Sequence, residues 1–296
     1  MVTRPYSTTV PRPLTALKLC ASASLLLAAF SAQADLIDHW NFEEAAGTTT
    51  ADSGIGSNTG TLGAGASWST TEFAPNGSTA SIQFDGTDLA HVEIKSYTAP
   101  LVGGTNNRTI SAWVKTNGAS PADINLSILS YGRNFGGQKW NFRSTQDNTT
   151  LNPSGQLRTE VNGGYIIGTT SVTDGQWHHV AVVLNGGTPD VTELSLYVDG
   201  VLEGIHSSLT EAINTDTAGG TNVFIGDDHS NREWNGWLDD VRIYNEALDA
   251  SAIALIASTV PEPSTLAFTV LGMLCIARRL WRTRQLQVAI WRAPKL

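Results

Sequence analysis

Between residues 35 and 258 the apolar residues of this chain fall in short runs rich in Val, Ile, Trp, Tyr and Phe. Each run is closed by Gly, Asn, Asp, Ser or Thr, and a 3.6-residue period is almost absent. That pattern excludes a helical bundle and predicts strands over 36–42, 80–85, 90–95, 108–115, 126–131, 139–143, 156–161, 177–185, 193–198, 222–226 and 236–244. The pair Asp199-Gly200 between two of these runs is a hairpin turn signal. One short helix is predicted over 248–256, with Asp249 as its cap. About 225 residues suffice for one sandwich and not for two comfortable ones. The predicted class is all-β, two antiparallel sheets packed face to face.

The two ends follow different rules. Arg4, Arg12 and Lys18 precede an apolar run, 25–30, and then Ala32 and Ala34 at the spacing of a leader-cleavage site, so residues 1–34 read as a secretory signal peptide. At the other end Pro261, Glu262 and Pro263 run into 14 uncharged, mostly apolar residues, 264–277, followed by Arg278 and Arg279. Triplet, apolar span and arginines together resemble the PEP-CTERM sorting signal of Gram-negative bacteria. The resemblance implies an exosortase-type sorting enzyme as partner, a short C-terminal transmembrane helix over part of 259–296, and delivery to the envelope or matrix. At 1.5 Å per residue the span reaches only about 21 Å against a bilayer core of about 30 Å. Snorkelling arginines and local thinning must make up the difference. The chain also continues to Leu296, further past the arginines than that signal normally does.

Separating the ends changes the charge. They hold nine of the 18 Lys and Arg, and only one of the 27 Asp and Glu, so the segment between them is near −17 rather than −9. Such a surface repels nucleic acid and suits cations or neutral polymers. Both cysteines, Cys20 and Cys275, fall in the ends, which excludes disulfides and thiol chemistry from the middle.

Within the middle, His39-Trp-Asn-Phe-Glu43, Ala51-Asp-Ser-Gly54, Ile82-Gln-Phe-Asp-Gly86, Thr109-Ile-Ser-Ala-Trp-Val114, Asp174-Gly-Gln-Trp-His-His-Val-Ala181, Leu196-Tyr-Val-Asp-Gly200 and Trp237-Leu-Asp-Asp-Val-Arg-Ile-Tyr-Asn245 follow one another. These blocks resemble a laminin-G-like domain. The resemblance covers roughly 36–256 and implies a concanavalin A-like jelly-roll sandwich of two antiparallel sheets, used mostly for carbohydrate and protein binding. It also implies one calcium ion joining the first loop to the last strand. The matching positions are Asp52 and Asn58, with Asp239 or Asp240, and Asp239 shares strand parity with inward-looking Val241 and Ile243.

No Glu-x-Asp-x-x-Glu strand, Gly-x-Ser-x-Gly elbow or phosphate loop is present, and adjacent Asp239 and Asp240 should project to opposite faces, so no catalytic residue is assigned. His178 and His179, neighbours on a strand, cannot share an ion. For ligand binding the candidates are Trp234 with Asp227, Asp228 and Asn231, an indole beside a polar loop that together suit a sugar ring. The expected function is binding of polysaccharide or matrix components outside the cell. A polysaccharide-degrading enzyme and a purely structural coat protein are the alternatives.

Overall fold

The computed structural model describes residues 35–97, 102–118, 125–145, 155–187, 189–216, 221–230 and 232–258. Residues 1–34, the Pro261-Glu262-Pro263 triplet, Arg278, Arg279 and both cysteines lie outside them, as does Asn231. Among the described residues no helix is long and apolar enough to cross a membrane.

Two antiparallel sheets carry the fold. The first runs β14 (Val201–Leu202), β13 (Ser195–Val198), β12 (His178–Leu184), β7 (Arg108–Thr116), β17 (Asn235–Tyr244), β5 (Ser81–Asp85), β4 (Ala66–Ser69), with β1 (Leu36–Trp40) also paired to β17. The second runs β15 (Ser207–Leu209), β11 (Gly164–Ser171), β10 (Gln156–Val161), β9 (Lys139–Ser144), β8 (Ser127–Gly132), β16 (Thr221–Ile225), β6 (Val92–Tyr97), β3 (Gly60–Leu62), β2 (Thr49–Thr50). The eight- and nine-stranded sheets bear out the all-β, jelly-roll expectation.

Alternation along the strands fills one core between them. Ile110, Ala112 and Val114 of β7 and Val180, Val182 and Leu184 of β12 meet Trp140 and Phe142 of β9, Leu157 of β10 and Ile225 of β16, all buried. A smaller cluster, Ala181, Val183 and Tyr197 with Ile253, seats the terminal helix α1 (Ala250–Ile256) on the outward face of the first sheet. Asp249 caps α1 by accepting from Ala252 N at 2.9 Å, as its position predicts. The Asp199-Gly200 turn between β13 and β14 packs against that helix: both residues have positive φ (50° and 79°) and Gly200 passes against Ala254.

The middle of β17 departs from alternation. Opposite β7 its register shifts between Asp239 and Arg242, and Asp240 adopts φ +52°, the mark of a bulge. Leu238, Val241 and Ile243 face the core, whereas Asp239 pairs with Trp113, which in turn pairs with His179 on the outward face. The expectation that Asp239 points inward with Val241 and Ile243 therefore fails, because the extra residue resets the parity. Asp239 and Asp240 also do not part to opposite faces: both accept from one loop, Asp239 from Ala74 N at 2.9 Å and Asp240 from Asn76 Nδ2 at 2.8 Å.

Candidate functional site

The outward face of the nine-stranded sheet is where polar side chains gather. On β9 the core members Trp140 and Phe142 alternate with Lys139, Asn141 and Arg143. On β10 Leu157 and Val161 alternate with Arg158 and Glu160. Register sets Arg143 opposite Arg158 and Glu160 opposite both Asn141 and Tyr165. Glu160 receives three guanidinium groups: Arg143 Nη2 at 2.8 Å, Arg158 Nη2 at 2.7 Å and Arg232 Nη1 at 2.9 Å. Burial opposes ionisation of Glu160, but Arg143, Arg158 and Arg232 together hold its pKa down to about 2. Burial, only partly offset by Glu160, pushes the Arg143 pKa down to about 10. The Arg158 guanidinium lies over the Tyr165 ring at 4.1 Å.

Arg232 links this cluster to the loop after β16. Its Nη1 also reaches Asp228 Oδ2 at 2.9 Å, an oxygen that takes Asn141 Nδ2 at 2.5 Å and lies 3.7 Å from Lys139 Nζ. Asp227 organises the loop itself, its Oδ1 accepting from the amides of Asp228 at 2.5 Å and His229 at 2.7 Å. His91 Nδ1 and His229 Nδ1 approach its other oxygen at 3.6 and 3.5 Å, and the His229 ring packs edge-on against Phe224. A cleft of about 470 Å³ opens here, lined in part by Lys139, Asn222, Phe224, Asp228, His229 and Ser230. Of the residues expected at a ligand site, Asp228 lies at this cleft and Asp227 in the loop beside it. The same face also gathers Lys139, Arg143, Arg158, Glu160 and Phe224, which were not among the expected residues; their outward parity was the available signal.

The indole expected beside that loop is not there. Trp234 is fully buried in the inter-sheet core and donates from Nε1 to Lys115 O at 3.2 Å. Trp140 is buried too, under Arg108 at 4.9 Å. The polar, Gly/Asn-rich sequence around Trp234 signals a turn, not exposure of the indole.

The four calcium candidates separate into two groups. Asp52 Oδ1 accepts from the amides of His39 (2.8 Å) and Gly54 (2.7 Å), and Oδ2 from that of Asn58 (2.7 Å). Asn58 Nδ2 donates at 2.6 Å to buried Asp38, which also accepts from the Tyr97 hydroxyl at 2.6 Å. Asp240 is taken by His39 Nε2 at 2.6 Å, Arg242 Nε at 2.9 Å and Asn76. Asp239 alone keeps an oxygen, Oδ1, that is buried and has no hydrogen-bond partner among the described residues. Burial raises its pKa to about 8. Among the described residues no three or more His, Cys, Asp or Glu are gathered in the arrangement a metal ion needs.

Ser53 Oγ sits 2.9 Å from His39 Nδ1, so serine, histidine and Asp240 form a line resembling a hydrolase triad. The amides needed to stabilise an oxyanion are occupied. Ser53 N binds His39 O, Gly54 N binds Asp52, Ile55 N binds Leu36 O, and Gly56 N binds Ile37 O. The line ties the first loop to the bulge in β17. His179 beside it is buried, edge-on to Trp113, and burial lowers its pKa to about 4.

Comparison with known proteins agrees with this fold. The profile of Laminin_G_3, described as the concanavalin A-like lectin/glucanases superfamily, matches residues 76–254. Curated proteins give no significant sequence match. Among solved structures, domain 4 of AbnA, a GH43 extracellular arabinanase from Geobacillus stearothermophilus in complex with arabinotriose, aligns over 76% of this chain and 99% of its own. The identity is 17% and the TM-score 0.53. The binding domain of botulinum neurotoxin serotype G aligns over 75% of this chain and 50% of its own (12% identity, TM-score 0.52). That of Paraclostridial Mosquitocidal Protein 1 aligns over 75% and 52% (15%, 0.52). At these identities the likeness is one of fold. The family profile spans more than half of the chain, and the protein belongs to the Laminin_G_3 family of the concanavalin A-like lectin/glucanases superfamily.

Proposed function

We propose that this protein is an exported, non-catalytic carbohydrate-binding protein of the cell envelope or extracellular matrix of a Gram-negative bacterium, holding polysaccharide on the outward face of its nine-stranded sheet. The observation that carries the reading is the cleft beside β8, β9 and β16. Fixed hydrogen-bonding groups on Lys139, Asn222, Asp228 and Ser230 meet the apolar ring of Phe224 there. Sugars present an apolar ring face and a rim of hydroxyls, and such mixed walls recognise both. Glu160, held ionised by three arginines, is the opposite of the protonated general acid that glycoside hydrolysis requires. Glu233 on the same loop is raised by burial and by Asp227, Asp88 and Asp228, which makes depolymerisation the rival outcome to assay.

Export rests on the leader-like 1–34 and on Pro261-Glu262-Pro263 with Arg278 and Arg279, which support an exosortase-type enzyme as processing partner. Calcium is proposed only at Asp239, whose Oδ1 would take a hard cation in exchange for the proton that burial keeps on the carboxyl. Affinity gel electrophoresis of the purified protein against a polysaccharide panel tests the function. Retardation by at least one polymer is expected, weakened in Phe224→Ala and Lys139→Ala with no release of reducing ends. Retardation unchanged in both variants, or polymer cleavage, would overturn it.

A further inference from the structure

We propose that the polysaccharide is acidic, and that a uronate carboxylate docks on the guanidinium groups of Arg158 and Arg232 beside the cleft. This deepens the carbohydrate-binding reading and rests on it. Basic residues are unevenly placed. Residues 35–258 carry only nine Lys and Arg in an acid-rich segment, yet four of them, Lys139, Arg143, Arg158 and Arg232, converge on one face of one sheet. Their carboxylate partners are two, Glu160 and Asp228, which leaves the six groups at a net +2.

The hydrogen-bond count leads the same way. Glu160 divides two oxygens among three guanidinium groups, and Arg143 Nε and Arg158 Nε are buried without a partner among the described residues. A guanidinium offers five N–H donors in a planar fork that suits a carboxylate; the two Nε donors are covered, so a planar anion would be taken by the partly exposed edges of Arg158 and Arg232, which the two oxygens of Glu160 cannot saturate. Arg143 is almost wholly covered (side chain 3% exposed) and positions Glu160 and Arg158. Arg158 and Arg232 are the groups within a ligand's reach, at 15% and 27%. Tyr165 fixes the Arg158 plane by stacking. Lys139 and Asp228 line the cleft and also belong to the charge cluster, so a chain lying in the cleft brings its substituents to the arginines.

The partly buried setting weakens solvent screening and strengthens a charge-assisted contact. The test uses the unaltered protein with polygalacturonate, alginate and hyaluronate, each beside the same polymer after its carboxylates are reduced to alcohols. Binding of at least one uronate polymer is expected, falling about tenfold or more on carboxyl reduction. Arg158→Gln and Arg232→Gln, verified as folded by circular dichroism, should each lower affinity for the intact polymer and leave the reduced one unchanged. Equal binding of intact and reduced polymers overturns the acidic-ligand assignment while the carbohydrate reading stands. Binding to neither form, nor to any neutral polysaccharide, overturns both.

Discussion

Replacing Glu160 by Gln tests how the site is built. Glu160 is a mostly covered carboxylate ringed by Arg143, Arg158 and Arg232, and its pKa falls from 4.5 to about 2 on folding. A depression of that size corresponds to about 3 kcal/mol of stabilisation at neutral pH. Removing one partner of a buried ion pair costs about 3–5 kcal/mol by independent measure, since the charge left behind stays buried. Gln keeps the shape and loses the charge, so urea unfolding at pH 7 should show a loss of about 3 kcal/mol at unchanged m-value. The sign with pH follows from the depressed pKa. The Glu160 contribution is fully present above about pH 4.5 in the unaltered protein and disappears as pH falls towards 2. In the variant that part of the acid dependence is gone. In its folded form Glu160→Gln should bind an acidic polymer more tightly, because the cluster gains a net positive charge. A stability loss below about 1 kcal/mol would refute the claim that Glu160 neutralises these arginines.

Trp234→Ala should cost about 3–5 kcal/mol by thermal or urea unfolding, as a core truncation does, and leave glycan affinity of the folded fraction intact. Lost binding with unchanged stability would put the indole back in the site. Asp38 is fully buried and its pKa is raised to about 7 by burial, so the folded state holds its proton more tightly than the unfolded one. Its effect is therefore absent below about pH 4 and becomes a loss of up to about 4 kcal/mol as pH rises to 7. Asp38→Asn should flatten that fall in a series of urea melts, and an unchanged slope would discard the assignment. Calcium chloride should raise the melting temperature of the unaltered protein and not of Asp239→Asn. Equal shifts, or none, would remove calcium from the account.

The long strands were legible because their hydrophobic parity was intact. Over 108–115, 139–143, 156–161 and 177–185 the predicted bounds lie within one residue of the observed ones at each end, and α1 begins where Asp249 predicts. The short strands β2, β3 and β4 carry too few residues for a period. β11 was missed although Asn162-Gly163 stands between it and β10, a two-residue turn in which Gly163 has φ +113°. Asp239 and Asp240 were read by strict alternation, and a bulge has no reliable sequence mark here. Trp234 was misread because a polar neighbourhood describes the loop's exposed residues and not the direction of one large side chain. The arginine cluster was hidden for another reason. Its members sit on β9, β10 and a loop more than 70 residues further on, and only the order β10-β9-β8-β16 brings them together.

Hydrogen exchange of the protein with and without a bound polysaccharide locates the face that binds it. Slowed exchange is expected over β9, β10 and the loop that carries Asp228, with the outward face of the other sheet, around His39, His179 and Asp240, unchanged. Protection confined to that second face, with β9 and β10 unaffected, would contradict it.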